Sequence, residues 1–561
     1  MHHNLLKALL ISDFNIENLA GLLNNSDELP VIDAVCGPYG QLMPILINGE
    51  HPAWKQKPEI LVVWTRPEAI SETFRRLINF ERVLHAKVLE EVDEFCVPLS
   101  RAAKNVKTLF IMAWQIPTSF RGYGFLEWRK GIGLRQLVMQ MNLRMAENLN
   151  EVDNVLILDS FKWAEKSGKS AFQPKAWYLG KIPFGNEVFK WAVQDIKTAL
   201  SALSGRSKKI IIVDLDDTLW GGVLGDLGWE NLILGGHDPV GESFVDFQRS
   251  LKAISQRGVV IGIVSKNDEN IALEAIEKHP EMVLRKNNFA GWRINWDDKA
   301  KNIIELVTHL NLGLDSVVFI DDNPVERARV RQALPEVYVA ELPEDNLLYK
   351  NFIQDLSCFD TPKMTEEDRE RTKMYVMERK RNELKIEVQS IEGWLRSLET
   401  KVKLAPFQKE DSPRILQLIN KTNQMNLSTR RLAESELINW INQTGHKMWS
   451  CRVGDKFGDS GLTGIISLEI KGRDAQIVDF LLSCRVIGRR VEETLIWTAA
   501  DYAIKQGLLK IYAKHIPTPK NMPCLEFFKK SGFLFNQDSD AFVWELKQPY
   551  PYPQSVQIEM S

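Results

Sequence analysis

The sequence predicts a multidomain α/β protein that ends in an α+β domain. At 561 residues the chain is too long for a single hydrophobic core. In its first part, β-branched apolar runs alternate with helix-periodic stretches, whereas strand-like runs follow one another more closely from Thr400 onwards. We therefore expect domains at residues 1–204, 205–350 and 399–548, with a helical connector at 351–398 and a tail at 549–561.

The composition excludes several function classes. Hydrophobic residues make up 44% of the chain, and the formal net charge of −3 gives no reason to expect a nucleic acid or an anionic membrane as partner. The six cysteines show no CxxC spacing, which argues against a disulfide scaffold and the common zinc sites. The apolar run at the N-terminus is typical of a first strand rather than a signal peptide, and no apolar run is long enough to span a membrane. We expect a cytoplasmic protein with reduced thiols.

The first region is predicted to contain a parallel sheet. Four apolar runs, at 7–12, 59–65, 107–114 and 154–160, read as strands, and stretches such as 70–97 between them have helical spacing. In the second region three runs, at 209–214, 259–265 and 316–321, read as buried strands that end in polar residues. Chemistry at the carboxyl ends of such strands is typical of an open α/β sheet.

Residues 366–390 are predicted to form a charged, heptad-like connector helix. The third region is predicted to contain strands at 401–406, 447–453, 462–470 and 475–484 and helices at 412–421, 434–444 and 492–506. Three prolines after Lys547 predict a loose tail, since proline cannot donate to a ladder.

A phosphoryl-transfer site is predicted at the end of the first strand of the second region. Asp214 follows the run Ile210–Val213 and is a candidate nucleophile, because a carboxylate there can attack phosphorus. Asp216 returns to the same face two residues later and can act as acid and base. A carboxylate and a phosphate repel each other, so the site needs a cation, and an oxygen-rich site suits Mg²⁺.

Later residues complete this site. Ser265 can hydrogen-bond a phosphoryl oxygen, and Lys299 can neutralise the charge of the phosphoryl group. Asp321 and Asp322 can bind a magnesium ion. The predicted magnesium site also includes Asp214 and Asp216. Lys301 is a rival to Lys299, and Lys286 reads as a surface residue. A solvated turn after a strand would explain Asp214–Thr218 alone, but not the occurrence of all these residues in this order.

The order of these motifs resembles the haloacid dehalogenase (HAD) superfamily, whose catalytic domain is Rossmannoid. The short segments from Asp214 to Ser265 and from Ser265 to Lys299 leave room for only a minimal cap domain. A minimal cap implies an open site.

The third region contains a candidate thioester site. The loop after its fourth strand contains Arg485, Gly488 and Arg490, and it resembles the loop of GNAT acyltransferases that holds the pyrophosphate of coenzyme A. Arg490 stands where that family prefers a small residue, which favours a phosphopantetheine arm over coenzyme A. Cys484 ends the strand beside Arg485 and is a candidate nucleophile, although a buried structural cysteine is the commoner alternative.

Longer motifs resemble the FkbH-like proteins, a HAD subfamily. These motifs are Asp214–Val223, Phe319–Arg327, Thr422–Gln424, Phe457–Leu462, Leu482–Val486 and Pro517–Asn521. The resemblance implies an enzyme that takes a glyceryl unit from 1,3-bisphosphoglycerate, removes its remaining phosphate and delivers it as a thioester to an acyl carrier protein, in polyketide or polysaccharide biosynthesis. It also implies a glyceryl thioester on Cys484.

The N-terminal region resembles the SGNH hydrolases. Phe14 stands where their serine nucleophile would be, so we expect a structural or docking role rather than esterase activity. Two alternatives to glyceryl transfer stay open. One is a small-molecule phosphatase joined to a coenzyme A-dependent acyltransferase, and the other is an inactive scaffold that binds a synthase.

Overall fold

The computed structural model describes residues 5–26, 28–310, 312–361, 370–388 and 390–560. The chain forms two compact units. One unit comprises residues up to Ser207 together with Asp360 and the residues beside it, and the other comprises Lys208–Phe359 and Lys363–Ser561. The second unit contains two separate sheets, which correspond to the second and third predicted regions.

The N-terminal unit is built on a parallel sheet with the strand order β2-β1-β3-β4-β5. Its strands are β1 Leu6–Ser12, β2 Ile32–Cys36, β3 Ile60–Trp64, β4 Thr108–Met112 and β5 Val155–Leu158. Its α-helices are Glu17–Asn24, Leu42–Ile47, Pro67–Ile70, Glu72–Ile78, His85–Ala103, Leu134–Leu149, Ser160–Ser167, Pro174–Gly180 and Asn186–Leu203. The sequence did not reveal β2, whose few residues include an aspartate, and the predicted helical stretch at 70–97 is interrupted in the structure.

The middle sheet is also parallel, in the order β10-β9-β6-β7-β8. Its strands are β6 Ile210–Val213, β7 Val260–Ser265, β8 Phe289–Ile294, β9 Val317–Ile320 and β10 Tyr338–Val339. Its α-helices are Leu224–Leu227, Pro239–Gln256, Glu269–Lys278, Lys299–His309, Pro324–Ala333 and Tyr349–Asp355. The β-branched runs of β6, β7 and β9 are fully buried, which is why the sequence predicted them. Strand β8 was missed because glycine and arginine interrupt its apolar residues.

The third region folds around a mixed sheet in the order β17-β18-β16-β15-β14-β13-β11-β19, with β12 paired to β15. Its strands are β11 Thr400–Pro406, β12 Met425–Asn426, β13 His446–Asp455, β14 Gly458–Lys471, β15 Asp474–Leu482, β16 Lys510–Ala513, β17 Leu534–Asn536, β18 Ala541–Glu545 and β19 Val556–Met560. Its α-helices are Ile391–Leu398, Ser412–Lys421, Glu434–Ile441, Val491–Lys505 and Met522–Lys530. Most neighbouring strands are antiparallel, but β16 pairs in parallel with β15, and β19 in parallel with β11.

The predicted fold class is confirmed, because two parallel α/β sheets precede an α+β region. The prediction of a loose tail is wrong. Strand β19 pairs in parallel with β11, and Tyr550 is buried. The prolines stop regular pairing only before the strand begins. The connector helix spans Arg371–Glu387, shorter than the predicted 366–390. Residues 370, 388 and 390 are described and lie outside the helix, whereas 366–369 and 389 lie outside the described residues.

Among the described residues, no helix has both the length and the apolar character needed to cross a membrane.

Candidate phosphoryl-transfer site

The carboxyl ends of the middle strands bring the predicted carboxylates together. Asp214 directly follows β6, and Asp321 directly follows the neighbouring β9. The backbone N–H of Asp214 donates to the carbonyl of Ile320 at 3.0 Å, which continues the ladder between the two strands up to the site. Both carboxylates are buried, Asp214 at 7% exposure and Asp321 at 0%. The alternation of side chains in these short strands therefore places both groups at one edge of the sheet.

Lys299 links these two carboxylates. It is the first residue of the helix Lys299–His309, which Asp298 caps at its N-terminus. Its Nζ donates to Asp214 Oδ2 at 2.8 Å and to Asp321 Oδ2 at 2.6 Å. Burial by itself lowers the pKa of Lys299, but the two carboxylates outweigh burial and the pKa is raised. Lys299 is therefore a fixed positive charge in the site.

The carboxylate oxygens could hold a metal ion. Ligand atoms of Asp214, Asp321 and Asp322 lie within 4.8 Å of one another. Asp214 Oδ1 is buried and has no hydrogen-bond partner, so a cation would satisfy it. All of these donors are oxygens, which fits Mg²⁺. Burial, followed by the charge of Asp214, raises the pKa of both Asp321 and Asp322, as expected for carboxylates that crowd one another.

Asp216 has a different setting. Its carboxylate is not in that group of ligands, and it accepts hydrogen bonds from Trp220 Nε1 at 2.9 Å, Leu224 N at 3.2 Å and Asn267 Nδ2 at 3.1 Å. Burial raises the pKa of Asp216, although the hydrogen bonds from Trp220 and Leu224 act to lower it. This setting suits a proton donor held in place, and metal ligation by Asp216 stays a prediction. Sequence reasoning missed Trp220 and Asn267, although each follows a predicted site residue within a few positions.

The other predicted residues fall in and around this site. Ser265 is the last residue of β7, which neighbours β6, and it is 2% exposed. Its contact with phosphate stays a prediction. Lys301 is exposed and pairs with Asp297 at 2.9 Å, so it does not compete with Lys299. Lys286 lies before β8, at the other end of the strand from the site, and its Nζ lies 5.5 Å from the ring of Trp292.

The chain between β6 and the helix Pro239–Gln256 is short. It contains the helix Leu224–Leu227, a 3-10 turn and a bridge between Gly221 and Ile233. This arrangement agrees with the predicted minimal cap.

In the third region, Cys484 is exposed and lies in a 3-10 turn directly beyond the end of β15. The predicted strand at 475–484 ends at Leu482, so Cys484 lies just beyond it, and the helix that follows begins only at Val491. The turn nevertheless leaves the thiol accessible. Its role as a nucleophile stays a prediction.

The loop predicted to bind pantetheine or coenzyme A is engaged by the chain itself. The backbone N–H of Gly488 donates to Glu492 Oε1 at 2.6 Å. A bound phosphate would need this same donor. Burial raises the pKa of Glu492 to about 7. Arg485 contacts Met374 Sδ, and Arg490 pairs with Glu493 at 3.0 Å. The chain itself therefore occupies donors of this loop, and binding of a pantetheine or coenzyme A phosphate by Arg485, Gly488 and Arg490 stays a prediction.

The strand edge beside this loop is also filled. Beyond the short parallel pairing with β16, the same edge of β15 pairs with β12 at Leu481 and Leu482. Leu427 N continues this contact by donating to the carbonyl of Phe480 at 3.2 Å. An extended arm that adds to a strand edge would have to displace this segment.

In the N-terminal unit, a buried aromatic residue follows β1 at the position expected for the serine. Phe14 is 2% exposed, with its ring 5.7 Å from Trp64 and 5.6 Å from Phe184. Asp13 beside it pairs with Arg66 at 2.7 Å. The position of the expected serine thus belongs to an aromatic core, which favours a structural role.

A solved structure that contains a phosphatase domain is similar to more than half of this chain. The chain is similar to the N-terminal part of the protein BF1531 from Bacteroides fragilis, which contains a phosphatase domain and was solved in complex with Mg. The TM-score is 0.58 at 27% identity, and the alignment covers 64% of this chain and 95% of that chain. A scan of protein-family models and a search of curated proteins gave no match.

GNAT proteins align more weakly. A GNAT-family acetyltransferase from Staphylococcus aureus Mu50 has a TM-score of 0.22 at 10% identity, over 26% of this chain and 99% of that chain. A spermidine N-acetyltransferase from Vibrio cholerae in complex with CoA and spermine has a TM-score of 0.20 at 23% identity, over 24% of this chain and 82% of that chain. Overlaps this weak carry no information about chemistry.

Proposed function

We propose that this chain is a magnesium-dependent phosphatase of the HAD type that also transfers an acyl group. The observation that carries the proposal is the contact of Lys299 with both Asp214 and Asp321, beside the unpaired Oδ1 of Asp214. Its support from outside the chain is the similarity to a phosphatase domain that was solved with Mg.

The residues divide the phosphatase reaction between them. Asp214 attacks the phosphorus atom, and the P–O bond to the leaving group breaks as the aspartyl phosphate forms. Asp216 gives its proton to the leaving oxygen and then takes one from the water that hydrolyses the aspartyl phosphate. Lys299 stabilises negative charge on the phosphoryl oxygens. Asp214, Asp321 and Asp322 would hold Mg²⁺, which supplies charge neutralisation when bound.

The finer proposal follows the FkbH-like resemblance. The donor is 1,3-bisphosphoglycerate, the acceptor is the phosphopantetheine thiol of an acyl carrier protein, and Cys484 carries the acyl group between them. The exposure of Cys484 supports this role, because a buried structural cysteine would not meet a donor. The hydrogen bond from Gly488 to Glu492 disfavours the alternative in which coenzyme A is the donor.

Intact-protein mass spectrometry tests this proposal. The protein is incubated with Mg²⁺, an enzymatic source of 1,3-bisphosphoglycerate and a phosphopantetheinylated carrier protein, beside Cys484→Ala and the control Cys36→Ala. We expect the wild type and Cys36→Ala to place a glyceryl group on the carrier, and Cys484→Ala to place none. Hydrolysis of simple phosphate esters with no mass gain on either protein would leave only the phosphatase part standing.

A further inference from the structure

The N-terminal unit contains a cavity of about 610 Å³ beyond the carboxyl ends of β4 and β5. One side is lined by Gln115 and Thr118, from the segment that follows β4. The other side is lined by Phe161 and Ala164, from the helix Ser160–Ser167 that follows β5. The carboxyl edge of a parallel sheet is where α/β proteins place ligand sites, and small-molecule sites typically have volumes of about 300–1,000 Å³. The cavity therefore has the place and the size of a ligand site.

Large apolar side chains that water reaches form much of the cavity wall. Trp128 is 63% exposed, Met139 is 46% exposed and Phe161 is 42% exposed. Phe172 adds another aromatic ring to the wall, and its centroid lies 5.5 Å from that of Phe184. Exposed apolar side chains that cluster in this way mark surfaces that bind a ligand or a partner. An aromatic ligand would cover these side chains, because its ring can stack on theirs.

The loop that carries Trp128 is fixed by a buried carboxylate. Glu127 is 5% exposed, and its carboxylate accepts hydrogen bonds from the backbone N–H groups of Tyr123 at 2.5 Å and Arg135 at 2.9 Å. A Cβ atom at Gly133 would overlap the backbone of Glu127, so only glycine permits this close approach. The chain thus holds an apolar ring in contact with water on a well-tied loop, as expected for a binding surface.

A cation without an ionic partner lies in the same wall. Arg135 is the second residue of the helix Leu134–Leu149 and is half-buried. Its guanidinium donates to the backbone carbonyl of Phe120 at 3.2 Å and forms no ion pair with any residue that the structure describes. A guanidinium has five N–H donors in a planar fork, so others are left for a ligand. A carboxylate is the small anion whose two oxygens match that fork.

The charges around the cavity favour an anion with a single charge. Arg135 and Lys169 are the two cations of the lining, and Glu165 is its one carboxylate, so the lining carries one net positive charge. A monocarboxylate complements this charge. The second charge of a phosphate group would instead be repelled by Glu165.

We propose that this cavity binds a small aromatic monocarboxylate, with its ring against Trp128 and Phe161 and its carboxylate on Arg135. The inference goes beyond the proposed function and does not depend on it, because the phosphoryl-transfer residues do not line the cavity. It gives the N-terminal unit a ligand of its own, although Phe14 fills the position of the expected serine. The binding is reversible and involves no covalent step.

Isothermal titration calorimetry on the full chain tests this inference. The probes are 2-naphthoate and 2-naphthalenemethanol, which share a ring system and differ in the carboxylate. We expect one naphthoate per chain, and an affinity for the alcohol that is lower by at least about ten-fold. Arg135→Met should weaken the binding of naphthoate by at least about ten-fold and leave the binding of the alcohol unchanged. The matched control is Arg129→Met, which removes a charge from the same loop but not from the cavity lining, and it should change neither affinity.

Two further variants separate the charge from the ring. Trp128→Ala removes an exposed side chain, so the fold should be kept and both probes should lose affinity by the same factor. Arg135→Lys keeps the charge and a donor for the carbonyl of Phe120. Its affinity for naphthoate should lie between those of the wild type and Arg135→Met.

Several outcomes would overturn the inference. It is wrong if the wild type does not bind naphthoate, if the alcohol binds as tightly as the acid, or if Arg129→Met loses as much affinity as Arg135→Met. An affinity of Arg135→Lys no higher than that of Arg135→Met would show that the charge does not hold the acid. Light scattering checks a different occupant, because a dimer that Trp128→Ala dissociates would make this wall an interface between two copies of the chain instead of a ligand site.

Discussion

The two parallel sheets offer the same kind of edge and use it differently. After β1 of the N-terminal unit come Asp13 and Phe14, and after β6 of the second unit come Asp214 and, two residues later, Asp216. In the first case the edge closes over an aromatic cluster, and Asp13 is neutralised by Arg66. In the second case buried carboxylates meet at Lys299, and one carboxylate oxygen stays unpaired. The topology supplies the position, and the side chains decide whether any chemistry follows.

Replacing the aspartate at each edge with asparagine should give the largest difference in phosphatase activity between the two edges. Asp214→Asn removes the nucleophile, so we expect the phosphatase kcat/KM to fall by more than about 10³-fold. Asp13→Asn, the matched change at the other edge, should leave the phosphatase rate unchanged. The rates are measured with a simple phosphate ester and saturating Mg²⁺. A loss in Asp13→Asn at full folding would show that the first edge takes part in the reaction.

Truncating Phe14 tests whether the first edge is core. Phe14→Ala should lower the free energy of unfolding of the N-terminal unit by about 3–5 kcal/mol, because it leaves a cavity among packed rings. Phe14→Leu keeps most of the volume and should cost much less. Denaturant unfolding followed by tryptophan fluorescence measures both, since Trp64 lies against Phe14. A cost below about 1 kcal/mol for Phe14→Ala would contradict a packed core there.

Removing the indole donor to Asp216 should give a smaller loss of activity. Trp220→Phe keeps the ring but removes a hydrogen bond of 2.9 Å, so kcat/KM should fall by about ten- to hundred-fold, with less effect on KM. The control is Trp114→Phe, which removes the indole bond to Thr65 at 2.9 Å in the other sheet. Equal losses in both variants would mean that the effect is structural.

The smallest expected effect concerns Arg66. Arg66→Met removes the partner of Asp13 and should cost about 1 kcal/mol at neutral pH. Burial already raises the pKa of Asp13 against the lowering effect of Arg66, and the substitution raises it further. Asp13 is neutral in both proteins at acid pH, so the difference in stability should shrink as the pH falls through the pKa of Asp13. A pH-independent cost would point instead to the stacking of Arg66 on Trp177.

The sequence by itself determined the long buried strands and the order of the phosphoryl-transfer residues. Runs such as Ile210–Val213 are both β-branched and fully buried, so local pattern and burial agree. It did not reveal β8, whose apolar residues are interrupted by glycine and arginine, or β19, whose partner β11 lies far back in the chain. It also left Lys299 and Lys301 as rivals, although they are only two residues apart on one helix.

The tertiary structure alone decided which of these residues meet. Lys299 points into the site and Lys301 into solvent because of the helix turn that follows Asp298. Glu492 reaches Gly488, and Arg489 reaches the connector helix, by contacts that no spacing encodes. Local patterns specify strands and the residues at their ends, but only the packing of distant segments specifies which ends face each other.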